Sequence, residues 1–188
     1  MPELFNRASS RNNGEWGPED FGLLAWTYDP QYAASSSIIP AVAGTVNFAK
    51  LKIQKPISVS NILYSVLANG SGLTSGQCFI ALHQNGTLIG VSADQSVAWT
   101  TSTLKTTALV GGPFAIAPGD LHVTFFYNGT TAPAIARQIS YEPQTNINLG
   151  TAAKRYGQTV DTGRTTTMPS PLGAVAAGTA PDFWFGLT

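Results

Sequence analysis

The chain is built from short apolar runs that alternate with a period of two residues, and the clearest example lies between Ile80 and Asp94. Residues 78–83, CFIALH, alternate between two faces, and residues 87–93 do so again after the dipeptide Asn85-Gly86. Asn-Gly is strongly favoured in tight turns whose two central residues both need positive φ. The run therefore predicts a β-hairpin, with His83 close to the turn, half-exposed and on the face opposite Leu82.

Other segments rich in β-branched and aromatic residues follow the same period and are separated by residues that favour turns. We predict strands at 44–53, 57–68, 104–110, 121–127, 134–139 and 183–187, with a bulge near Asn61. No segment has a convincing helical period. Roughly eight strands joined by polar turns predict an all-β fold, a two-sheet antiparallel sandwich of jelly-roll type. Residues 145–182 form a long irregular stretch, which is typical of a functional or interaction surface.

Composition and charge narrow the classes of function. Only 11% of the residues are charged, against about 25% in typical soluble proteins. The net charge is zero and the pI is about 6.7, so we expect no nucleic-acid partner. No run approaches the roughly 20 apolar residues that span a bilayer, and the start lacks the basic and apolar regions of a signal peptide. We therefore expect the protein to be made in the cytosol. We also expect that it does not insert into a membrane.

Residues 1–21 differ from the rest of the chain because they concentrate charge and carry no strand period. A disordered terminus is one interpretation. The other is an extended docking arm, because the segment holds four apolar side chains that a solvated tail would not need: Leu4, Phe5, Trp16 and Phe21. We predict the arm at 1–21 and the β-sandwich domain at 22–188.

The sequence contains few groups that could do catalytic chemistry. Nucleophilic catalysis needs a base, and only His83 and His122 could serve. There is no G-x-S-x-G elbow, the histidines lie far apart, and Cys78 is the only cysteine and is predicted to be buried. We therefore predict no enzyme, no metal site and no cofactor. A pair of carboxylates meeting in space would instead make a glycan hydrolase, which stays open as a lower alternative.

Aromatic side chains are the remaining candidates for recognition, because rings on loops stack on sugars or anchor protein interfaces. Most of them are expected to fill the core. The candidates for surface recognition are Trp99, Tyr141 and Tyr156, and Trp99 in SVAWTTS is the best placed of them.

Three segments together resemble a β-sandwich domain of virion proteins from tailed bacteriophages that infect actinobacteria. They are LLAWTYDP at 23–30, the stretch from GSGLTSGQ to SVAW at 70–99, and FFYNGTTAPAIAR at 125–137. The resemblance covers residues 22–188. It implies a structural role in a minor tail or tail-fibre protein, brings no catalytic residues, and places the protein in the virion.

The resemblance also implies partners. Such sandwiches associate in fibres as trimers, so we expect a homo-oligomer, a homotrimer, bound to other virion proteins. The arm would attach it to the particle, while loops at 71–77, 99–103 and 145–182 would contact a host-surface glycan or a neighbouring subunit. The alternative within the virion is a capsid decoration protein on the head, with the arm clamping the shell.

Overall fold

A computed structural model of the chain describes residues 16–38, 42–138, 154–176 and 183–188. Within these ranges the chain forms fifteen strands, and its helical turns are short 3-10 turns at Pro18–Phe21, Pro30–Tyr32 and Ala98–Thr100. The strands are β1 (Ala25–Trp26), β2 (Ala33–Ile38), β3 (Asn47–Ile53), β4 (Ile57–Val59), β5 (Asn61–Ala68), β6 (Ser71–Leu73), β7 (Phe79–Gln84), β8 (Thr87–Val91), β9 (Leu104–Ala108), β10 (Phe114–Ile116), β11 (Gly119–Phe126), β12 (Gly129–Thr131), β13 (Ala134–Gln138), β14 (Tyr156–Gln158) and β15 (Gly186–Leu187).

The strands pair into two large antiparallel sheets. Sheet I has the order β14-β3-β11-β7-β8. Sheet II has the order β1-β15-β5-β13-β2, and β9 pairs with the other edge of β5. Two short ribbons, β4 with β10 and β6 with β12, lie beside them. The all-β antiparallel fold predicted from the sequence is confirmed, while the jelly-roll type, the N-terminal arm and the domain boundaries stay predictions.

The predicted hairpin is confirmed as β7 and β8. Asn85 and Gly86 both have positive φ, 52° and 80°, as the turn requires. The predicted strand at 57–68 is interrupted at Ser60 and so forms β4 and β5, each with a different partner strand. The irregular period near Asn61 therefore marks a change of partner strand.

The core lies between the two sheets because each sheet turns its inward residues toward the other. Leu51, Ile80, Leu82, Val123 and Phe125 come from sheet I, and they share one buried cluster with Ile62, Tyr64, Val66, Ile135 and Leu187 of sheet II. Phe125 meets Phe183 edge-on at a centroid distance of 4.8 Å. At about 25 cal/mol per Å² of apolar surface, this burial is the main source of stability.

Residues 154–176, which we call the covering segment, begin with the edge strand β14 of sheet I and then cover part of the outer face of that sheet. Met168 and Leu172 of the covering segment pack on the outward-facing Ala81 and Phe126 of sheet I and on Val46, which precedes β3. The backbone N–H of Leu172 donates to the carbonyl oxygen of Gly86 at 2.7 Å. The covering segment therefore buries part of the outer face of sheet I, whereas Lys52 of β3 stays exposed on that face.

His83 shows the effect of this cover. The period of β7 does place it opposite Leu82, but its side chain is fully buried and not half-exposed. The covering segment supplies its partner, because Nε2 of His83 lies 2.8 Å from the carbonyl oxygen of Pro169. No described part of the chain forms a helix long and apolar enough to cross a membrane.

Candidate binding groove

A groove of about 1080 Å³ opens where β1 of sheet II approaches β3 of sheet I at the edge of the sandwich. It is lined by residues 17–19, 23–27 and 50–55 and by Ile57, Asp120 and Arg155. Ligand pockets in proteins have volumes of about 300–1,000 Å³. The groove is therefore large enough to hold part of an extended ligand.

One wall of the groove is built by the turn that precedes β1. Pro18 begins a 3-10 turn, and the carboxylate of Asp20 accepts a hydrogen bond from the N–H of Gly17 at 2.7 Å. Gly22 ends the turn with φ of 70°, a left-handed conformation that glycine adopts at little cost. The reversal sends Leu23 inward, where it is buried against Trp184, and leaves Phe21 exposed.

Three aromatic rings stand in a row beside this turn, and we call them the aromatic ridge: Trp16, Phe21 and Trp26. Trp16 and Phe21 meet edge-on at 5.9 Å, and Phe21 and Trp26 meet at 5.6 Å. Trp16 is 62% exposed and Phe21 is 51% exposed, whereas Trp26 is half-buried and lines the groove. Exposed rings fixed by their neighbours are typical of contact surfaces, because they bury a large area with little loss of side-chain freedom.

The opposite wall is cationic. Lys50 and Lys52 lie on the outward face of β3, and both bind the carboxylate of Asp120. Asp120 lies on the neighbouring strand β11, directly opposite Lys52. The Nζ–O distances are 3.4 Å from Lys50 and 2.9 Å from Lys52. The hydrogen bond from Lys52, with the charge of Lys50, holds the pKa of Asp120 below its usual range. Asp120 therefore stays ionised at neutral pH and lies within ion-pair distance of both ammonium groups.

Arg155 joins the two sheets at the end of the groove. Its guanidinium donates to the carbonyl oxygen of Thr27 at 2.8 Å, and its own carbonyl accepts from the N–H of Lys50. Arg155 is thus anchored to β3 through its backbone and to the end of β1 through its side chain. The position of the cationic wall relative to the aromatic wall is fixed by this contact.

His122 lies under the lysines, next to Lys50 in the pairing of β11 with β3. Burial, with a further contribution from the charge of Lys50, lowers its pKa to about 4. Its Nδ1 is buried without a hydrogen-bond partner among the described residues, and its ring meets Phe48 edge-on at 5.6 Å. At neutral pH His122 therefore adds no charge to the groove.

The residues predicted from the sequence for docking and for surface recognition lie in different environments. Trp16 and Phe21 are exposed and adjacent, as a docking role would require, and that role stays a prediction. Leu4, Phe5 and Tyr141 lie outside the described residues.

The prediction of surface recognition is wrong for Trp99 and Tyr156, because both side chains are buried. Trp99 is fully buried, because the 3-10 turn at Ala98–Thr100 points its ring into the core, where Nε1 donates to the hydroxyl of Tyr64 at 2.8 Å. Tyr156 is 2% exposed, because β14 pairs with β3 and places it opposite Ala49. Neither ring is available for contact with a ligand.

The groups that could support catalysis are held in structural contacts. His83 lies between Pro169 and the hydroxyl of Thr124, and burial lowers its pKa. Cys78 is buried, as predicted, and burial raises the pKa of its thiol.

Asp94 and Asp161 also differ from the general acid that glycoside hydrolysis needs. Burial opposes the ionisation of Asp94 and Asp161, but hydrogen bonds from Ser96 and Arg164, among others, outweigh it, and both pKa values lie below the usual range. A general acid in glycoside hydrolysis needs a raised pKa. Among the described residues, no group of three His, Cys, Asp or Glu side chains could hold a metal ion.

The cationic wall was not among the residues singled out from the sequence. A signal existed, because Lys50, Lys52 and Lys55 stand close together in a chain with only ten lysines and arginines. What the sequence lacks is the information that β1, Asp120 and Arg155 meet these lysines, since each comes from a distant segment.

Comparison with known proteins gives no relative for this chain. No family model matches it, and neither a curated protein nor a solved structure is significantly similar.

Proposed function

We propose that this chain is a structural protein of a bacteriophage virion, a component of a minor tail protein or tail-fibre tip that attaches to the particle and contacts the host surface. The three sequence segments that resemble actinobacteriophage virion proteins support the proposal. All three contribute to the core, through residues such as Ala25, Ile80 and Phe125. The segments that carry the resemblance are thus the ones that build the scaffold.

The observation that carries the proposal is the exposed aromatic ridge. Trp16 and Phe21 are more than half exposed and stand at the point where residues 1–15 join the sandwich. Large apolar side chains grouped on a surface mark contact sites. The ridge is therefore suited to hold the sandwich against another virion protein or a host surface.

Position on the particle is the first test. Antibodies raised against the purified protein, detected by immunogold electron microscopy on particles of the phage that encodes the chain, should label the tail or its tip. Gold confined to the head would support the capsid decoration alternative instead. Particles without label, although the antibody recognises the protein in the infected cell, would overturn a virion role.

Contact with the host is the second test. Fluorescently labelled full-length protein should bind intact actinobacterial host cells, and the double variant Trp16→Ala/Phe21→Ala should lose this binding. Tyr32→Ala is the matched control, because Tyr32 is an aromatic residue that is 52% exposed and outside the ridge and the groove. Equal binding by the ridge variant and the control would show that the ridge is not the contact surface.

We further propose that the protein assembles as a homotrimer through the outer face of sheet II. Leu67 and Leu104 are exposed there, 37% and 60%, on the neighbouring strands β5 and β9. The next outward residues along the two strands, Ser65 on β5 and Thr106 on β9, carry no charge. An uncharged apolar face of this kind is buried in many oligomers.

A further inference from the structure

We infer that the groove between β1 and β3 binds an anionic glycan, a sugar polymer that carries carboxylate or phosphate groups. The inference deepens the proposed function, on which it rests for the source of the glycan, the host envelope. Its own basis is the combination of fixed cations with an aromatic wall in one groove.

Charge is the first step of the argument. The whole chain has ten lysines and arginines and ten acidic residues. Four of the cations line this one groove, Lys50, Lys52, Lys55 and Arg155, against two acids, Glu19 and Asp120. The groove thus has a net charge of plus two in a molecule whose net charge is zero. A cleft lined mainly by one sign of charge attracts ligands of the opposite sign.

The arrangement of the cations is the second step. Asp120 binds Lys50 and Lys52 together, so it positions both ammonium groups and neutralises only part of their charge. The side chain of Lys52 is 64% exposed, and Lys55 is exposed and forms no ion pair among the described residues. These two lysines are therefore able to meet anionic groups spaced along a polymer.

The aromatic wall is the third step, and it favours a sugar backbone. Trp26 lines the groove, and its ring is held between Phe21 and a buried cluster that includes Trp184. A ring held in this way offers an apolar surface on which the C–H face of a pyranose can stack. Cations alone would suit any polyanion, but cations beside a fixed indole suit one that is built from sugar rings.

An acidic peptide is less suited to the same groove. Peptides bind sheet edges by adding a strand, which requires open backbone donors and acceptors. The carbonyl oxygen of Thr27, at the end of β1, already accepts a hydrogen bond from Arg155 at 2.8 Å. The guanidinium thus occupies an acceptor that an added strand would use.

The test uses the full chain and defined polymers in isothermal titration calorimetry. We expect binding to polygalacturonate or to poly(ribitol phosphate), weakening as salt is raised, and no binding to dextran, which is neutral. Lys52→Ala/Lys55→Ala should weaken binding about tenfold, and Trp26→Leu should also weaken it. Lys105→Ala is the matched control, because Lys105 lies outside the groove, and it should change affinity less than twofold. Circular dichroism melting checks that each variant is folded.

The inference is overturned if neither anionic polymer binds, if dextran binds equally well, or if the double lysine variant binds like Lys105→Ala. Binding to polyglutamate or to single-stranded DNA as tight as to the glycans, and unaffected by Trp26→Leu, would overturn the sugar assignment. The two proposals fail separately. Tail labelling without polyanion binding removes only this inference, and polyanion binding by a protein absent from the particle removes only the proposed virion role.

Discussion

Trp99 belongs to a network of buried hydrogen bonds between side chains in the core. Its indole N–H donates to the Tyr64 hydroxyl, which also lies 3.0 Å from Oγ1 of Thr107 and 3.2 Å from Oε1 of Gln95. The four side chains form a closed polar network inside an apolar core. Such a network stabilises one arrangement of the core only while every member has its partner.

Replacing Trp99 should therefore lower the free energy of unfolding. Trp99→Phe removes the donor to Tyr64 and some packing volume, and we expect a loss of about 1–3 kcal/mol; Trp99→Ala should cost about 3–5 kcal/mol. Urea unfolding followed by fluorescence or circular dichroism measures both. Val97→Ala is the control, since Val97 is 81% exposed two residues away, and it should change stability by less than about 0.5 kcal/mol. Variants of Trp99 as stable as this control would contradict the network.

The histidines make stability depend on pH. Burial lowers the pKa of His122 to about 4 and also lowers the pKa of His83, whereas an unfolded histidine titrates near 6.5. Between these values the unfolded chain binds more protons than the folded chain, so stability falls as pH falls. We expect the urea midpoint to be constant above pH 7 and to decrease from pH 6.5 to pH 4. In His122→Gln the decrease in the urea midpoint should be smaller. A urea midpoint that does not change with pH in the original protein would contradict a role for the buried histidines in stability.

At the scale of elements, the period of two predicted most strands, because a strand that buries one face alternates apolar and polar residues along its own sequence. The hairpin of β7 and β8 needed no other information. The covering segment was recognised only as irregular, since what orders it is contact with the distant sheet I. The wrong prediction that Trp99 lies on the surface has the same cause. The local sequence SVAWTTS is typical of a loop, and Tyr64, which contacts the indole, comes from a distant segment. Likewise, β2 was not predicted because AASSSI has too few apolar residues to show a period.

The covering segment depends on Asp161. Its carboxylate accepts hydrogen bonds from Thr159 at 2.9 Å, from Arg164 at 2.9 Å and from the N–H of Gly173 at 2.7 Å, so it closes residues 161–173 into a loop. Asp161→Ala leaves these donors without their acceptor, and we expect a loss of about 1.5–3 kcal/mol.

Hydrogen exchange measured by mass spectrometry locates this effect. Exchange in residues 159–175 should become faster in Asp161→Ala while β5 and β11 stay protected. Asp29→Ala is the matched control, because Asp29 is also an aspartate that accepts a backbone hydrogen bond, from Gln31, but at an exposed turn. Unchanged exchange in 159–175 would show that the loop is held by other contacts.

At the scale of the whole molecule, the two outer faces of the sandwich are treated differently. The outer face of sheet I is covered in part by a segment of its own chain, and Lys52 stays exposed beyond that cover. On sheet II a second buried cluster, which includes Leu23, Tyr28 and Trp184, packs against Leu63 of β5. Beyond that cluster, Leu67 and Leu104 remain exposed on β5 and β9. A chain with only 11% charged residues has little charge to solubilise such a face. These two exposed leucines are the part of sheet II that we propose a second copy of the chain covers.

Sedimentation velocity should then find a particle of three times the chain mass of 19.7 kDa. Leu104→Glu should dissociate it, because burying a carboxylate in an apolar interface costs far more than the leucine contact contributes. Val97→Glu introduces the same charge at a different exposed apolar residue and should leave the trimer intact. The reason is geometric: Leu104 faces outward on an edge strand beside Ser65, whereas Val97 precedes the 3-10 turn at Ala98–Thr100. A monomer at high micromolar concentration, or a trimer that survives Leu104→Glu, would rule out this face as the interface.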